Sequence, residues 1–71
     1  MLVDMRYRLY DDYELDMELI GKYTKPDQIR NAGIDRIEET DGECYLLVKD
    51  LLTKELKTWE EFLEENNLYE A

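Results

Sequence analysis

Seventy-one residues with nineteen acidic and nine basic side chains carry a formal charge of −10 and no histidine. A chain this short makes one small domain, residues 1–71, that buries only about 60% of its unfolded surface and leaves no room for a separate deep active site. The charge repels nucleic acid and anionic lipid and attracts a basic protein surface, so neither direct nucleic-acid binding nor membrane binding is expected.

The single cysteine, Cys44, has no internal disulfide partner, which suits a reducing compartment. Asp4, Arg6 and Arg8 interrupt the first eight residues, so neither a signal peptide nor a membrane span is expected there, and the setting read from the sequence is cytoplasmic.

Residues 1–20 read as an antiparallel hairpin. A two-residue loop at Asp11-Asp12 would mix apolar and charged residues on one face. A three-residue loop, Tyr10-Asp11-Asp12, instead pairs Leu9 with Tyr13, Tyr7 with Leu15, Met5 with Met17 and Val3 with Leu19. The other face then pairs Arg8 with Glu14 and Arg6 with Asp16. The competing reading is a helix over Asp11–Tyr23 with Leu15, Leu19 and Tyr23 on one face; unbroken alternation from Tyr13 to Leu19 favours the strand.

Thr24, Pro26 and Asp27 signal the start of a short middle helix, and Gly33 is placed to end it in a left-handed conformation. Ile34 to Lys49 then reads as a second hairpin about Asp41-Gly42, the dipeptide that suits a turn with two positive φ angles. Its core face holds Ile37, Cys44, Leu46 and Val48, and its outer face holds Arg36, Glu38, Tyr45, Leu47 and Lys49. A short strand over Glu55–Lys57 follows, with Leu56 inward. Thr58 and Glu61 form a capping box for a last helix whose Trp59, Phe62 and Leu63 cover the sheet, ending at Asn66 or Asn67. The fold class is α+β: a small antiparallel sheet from two hairpins plus a short strand, packed by a short middle helix and a C-terminal helix, in the order ββαβββα.

Catalytic chemistry is sparse. The chain has no histidine and no serine, and Cys44 is expected inward, where a thiol behaves as a small hydrophobe. Residues 38–43, EETDGE, fail as a calcium loop: with Gly42 at the sixth position, the first falls on Ile37, which offers no carboxylate. No enzyme, cofactor or metal site is expected.

The acidic residues are the remaining signal. Glu60 and Glu61 suit a helix N-terminus, but Glu64 and Glu65 lie near its negative end and make like-charge i, i+4 pairs with them, each costing about 0.2–0.5 kcal/mol. Glu38, Glu39, Asp41 and Glu43 crowd one short stretch. Local rules broken without local gain are expected at functional sites. These eight carboxylates and the outward Tyr45 form the expected partner-binding set, with Tyr10 and Tyr69 as further exposed rings. Tyr7 and Tyr13 are read as packing rings.

In size, acidity and α+β pattern, with carboxylates on EETDGE and WEEFLEE, the chain resembles small acidic phage-encoded inhibitors of the anti-CRISPR and DNA-mimic class. That resemblance implies a stoichiometric inhibitor, monomeric or homodimeric, that blocks a basic nucleic-acid-binding surface of an enzyme such as a CRISPR nuclease. The alternative is a small homodimeric or accessory, antitoxin-like domain whose contact is apolar and uses a sheet edge, Tyr45 and Leu47.

Overall fold

The computed structural model describes residues 4–14 and 16–68. Its elements are β1 (Tyr7–Asp11), β2 (Glu18–Tyr23), α1 (Pro26–Thr40), β3 (Leu46–Asp50), β4 (Glu55–Thr58) and α2 (Trp59–Glu65). The four strands form one antiparallel sheet in the order β2-β1-β3-β4. The α+β class, the antiparallel sheet, an N-terminal hairpin and both helices are therefore as the sequence indicates, with one strand fewer.

The missing strand is the first half of the supposed second hairpin. Ile34–Thr40 continues α1, and Asp41 (φ 58°) and Gly42 (φ 85°) cap that helix, with Gly42 N–H donating to Ile37 O at 2.9 Å. Both residues do take positive φ, but a helix C-cap asks for the same dipeptide chemistry as a tight hairpin. Gly33 does not stop the helix. A Cβ there would lie 2.1 Å from Trp59 Nε1, so the glycine is a flat spot on which the indole rests, and that Nε1 donates to Ile29 O at 3.0 Å. The helix begins at Pro26, one residue later than a Thr24 cap would place it. Gln28 Oε1 accepts from the backbone N–H of both Thr24 and Lys25.

The N-terminal hairpin forms with a different register and a longer loop. Tyr7 faces Tyr23, Leu9 faces Gly21 and Asp11 faces Glu18, with a bulge at Ile20 that turns its side chain to the core. The strand runs through Asp11 because its carboxylate, only 4% exposed, is occupied: it accepts from Tyr13 N (3.2 Å), Tyr45 N (3.0 Å) and Arg36 Nε (2.9 Å). Neither Arg8–Glu14 nor Arg6–Asp16 pairs; Arg6 instead forms a two-bond ion pair with Asp50, both contacts 2.8 Å. Tyr13 is 50% exposed rather than packed. The expected partners Val3 and Leu15, and Tyr69, lie outside the described residues.

Both helices lie on one face of the sheet. The core there is Tyr7 and Leu9 from β1, Leu46 and Val48 from β3, Ile29 from α1, and Trp59, Phe62 and Leu63 from α2. Tyr7 meets Phe62 edge to face, centroids 5.1 Å apart. The α2 cap is as the sequence indicates, Thr58 Oγ1 accepting from Glu61 N at 3.2 Å, and Asn66 caps its end. Leu56 departs from expectation: it faces outward at 50% exposure, while Lys57 turns inward to pair with Glu65. Four-residue β4 is an edge strand whose parity follows from pairing with β3, which places Lys57 across from buried Val48.

Candidate protein-binding surface

All six elements reach the same end of the sheet: β1, β4 and α1 finish there, and β2, β3 and α2 begin there. The connection from α1 to β3 is held down by short bonds, Glu43 N to Thr40 O (3.1 Å) and Cys44 N to Gly42 O (3.0 Å). Tyr45 then bridges to β1, its N–H donating to Asp11 and its carbonyl accepting from Asp12 N at 2.8 Å.

Two clefts open at this end. One, of about 200 Å³, is lined by Ile37, Gly42, Cys44, Tyr45, Leu46 and Glu60, so the acidic stretch after α1 and the first turn of α2 border the same depression. The other, of about 310 Å³, has Glu14, Asp16, Glu18 and Glu43 around Arg36, Asp11, Tyr13 and Thr40. Arg36 is the one cation lining either cleft. Its guanidinium is already shared among Asp11 (2.9 Å), Glu18 (3.2 Å) and Glu39 (3.3 Å).

The Asp11 carboxyl is pulled two ways. Burial pushes its pKa up, but the hydrogen bonds from Tyr45 N and Arg36, the Arg36 charge, and the bond from Tyr13 N outweigh it and hold the group below the usual carboxylate range. Arg36 is raised in return, chiefly by its bond to Asp11. The pair is a fixed internal strut, and the exposed carboxylates around it remain for a partner.

Of the sequence-derived set, Glu38, Glu39, Asp41, Glu43, Tyr45 and Glu60 meet at this end, and all are exposed. Glu61 lies beside Glu60 in the first turn of α2, and Glu64 lies one turn further on. Glu39 and Glu65 are engaged within the chain, by Arg36 and Lys57 respectively. Among the described residues, Glu38, Asp41, Glu43, Glu60, Glu61 and Glu64 form no ion pair. Glu38 and Glu39 also end a helix with no basic residue in its last turn, against the helix dipole. Sequence reasoning missed Glu14, Asp16 and Glu18, whose proximity to Glu43 depends on the strand order.

Among the described residues no cluster of three His, Cys, Asp or Glu side chains is placed to hold a metal ion. No helix there is long and apolar enough to cross a membrane. Comparison with known proteins finds no matching family model, curated protein or solved structure.

Proposed function

We propose that this chain is a non-enzymatic, stoichiometric inhibitor that works inside the cell by presenting the acidic end of its sheet to a basic, nucleic-acid-binding surface of an enzyme, in the manner of anti-CRISPR and DNA-mimic proteins. The observation that carries the reading is the convergence of unpaired carboxylates from separate elements, Glu38, Asp41, Glu43 and Glu60, at one end of the sheet, where Glu60 and exposed Tyr45 line one cleft and Glu43 lines the other. The chain's one nearby cation is already bound to three carboxylates. Glu60 and Glu64 stand about 6 Å apart along α2, on the scale of phosphate spacing in a nucleic-acid strand. Arg and Lys of a nucleic-acid channel would bind such a surface by charge-assisted hydrogen bonds.

Competition measures this directly. The chain, added in equimolar amount to a CRISPR nuclease or restriction enzyme that it inhibits, displaces the DNA duplex, and the effect weakens as salt rises. The variant E38K/D41K/E43K/E60K loses the displacement while keeping its fold by circular dichroism. Undiminished inhibition by that variant would remove the electrostatic reading.

A further inference from the structure

The sheet face opposite the helices has a composition unlike the rest of the chain. Strand register lines up two rows across it: Lys22, Arg8, Lys49 and Leu56 in one, and Leu19, Tyr10, Leu47 and Thr58 in the other. A chain of net charge −10 thus places three cations side by side and no carboxylate at these eight positions. Like charges directly opposite on neighbouring strands oppose folding. Arg8 Nε is moreover shielded from solvent with no protein acceptor among the described residues. Beside the cations runs a shallow apolar groove of about 310 Å³ lined by Arg8, Tyr10, Met17, Lys49, Leu51 and Leu56. Leu19, Leu56 and Met17 are 43%, 50% and 44% exposed.

We propose that this open face is a second docking site, for an acidic amphipathic segment of a partner protein. The partner's apolar side chains seat on Tyr10, Leu47 and Leu56, and its carboxylates reach Lys22, Arg8 and Lys49. Charge complementarity selects an acidic occupant, and size selects a narrow one. Four strands about 4.8 Å apart make a face on the order of 14 Å across, wide enough for one helix of about 10–12 Å. A duplex or a bilayer would overrun that width and meet the carboxylates of the β1–β2 connection, Asp12 and Asp16, at one end of the sheet. The apolar row has Tyr10 as its one aromatic ring, which favours leucine contacts over a stacked run of bases. The site is independent of the acidic end and of opposite sign.

The test is a titration of the isotope-labelled full chain followed by amide chemical shifts. The probe is an amphipathic peptide with Leu at i, i+3, i+4 and i+7 and Glu elsewhere. Saturable shifts are expected at Arg8, Tyr10, Leu47, Lys49 and Leu56, with affinity about tenfold lower for R8E/K49E and for the exposed-residue variant L56S. The acidic-end variant E38K/D41K/E43K/E60K is expected to bind the peptide at least as well, which separates this outcome from that of the inhibitor reading. Absence of shifts on the open face would overturn the proposal. So would equal binding of the same peptide with Lys in place of Glu, or tighter binding of oligothymidylate or phosphatidylserine vesicles at the same residues.

Discussion

Asp11 is the residue on which two strands, a helix and a loop agree. Its carboxylate is buried and receives donors from positions 13, 36 and 45, so it fixes where β1 ends and where β3 begins. Removing the guanidinium in R36A leaves that carboxylate buried with two backbone donors. The expected cost is about 3 kcal/mol in urea unfolding, in the range for breaking one side of a buried pair. Acid reports on the same group. A carboxyl whose folded-state pKa is lowered contributes stability that is complete above its ordinary value of about 3.9 and is lost as pH falls through the folded value. Asp50 is lowered too, first by its hydrogen bond from Arg6, against the opposing effect of burial. The wild-type chain is therefore expected to lose stability steeply below about pH 4. D11N, measured by the same unfolding over the same pH range, is less stable at neutral pH and shows a shallower acid limb.

At the scale of elements, α1 is where sequence and structure part company. Gly33, expected to end the helix, packs it against Trp59, and Gly42, expected to turn a hairpin, helps to end it. Their alanine variants separate the two readings. G42A meets no neighbouring atoms but carries φ of 85°, an expected cost of about 1 kcal/mol; G33A drives a methyl into the Trp59 indole and costs more, about 2–3 kcal/mol, in thermal unfolding. The reverse order would return Gly33 to the role of a helix stop. The α2 helix is legible in the sequence because Thr58, Glu61, Trp59, Phe62 and Leu63 interact within one or two turns. The β1–β2 register is not, because the donors that hold Asp11 include Arg36 and the N–H of Tyr45, 25 and 34 residues away. The same distinction governs the candidate site. The exposure of Glu38, Asp41, Glu43 and Glu60 follows from local pattern, whereas their meeting with Glu14, Asp16 and Glu18 follows from strand order.

Across the whole molecule, charge is sorted rather than spread. Carboxylates gather where all six elements share an end, and three cations line up on the uncovered sheet face. Each concentration repels itself, so added salt is expected to raise the melting temperature by screening both; a fall would mean that exposed ion pairs such as Glu39–Arg36 outweigh the repulsion. The strand order has a further consequence. β1, the first element in sequence, lies inside the sheet, and its pairing with β3 joins residues as far apart as Tyr7 and Asp50. During synthesis β1 can pair with β2 early, but that hairpin has no finished core until β3 and Trp59 emerge. Assembly is thus governed by closure of a long loop rather than by local turns. The nascent chain exposes Leu9 and one edge of β1 until β3 and α2 have left the ribosome.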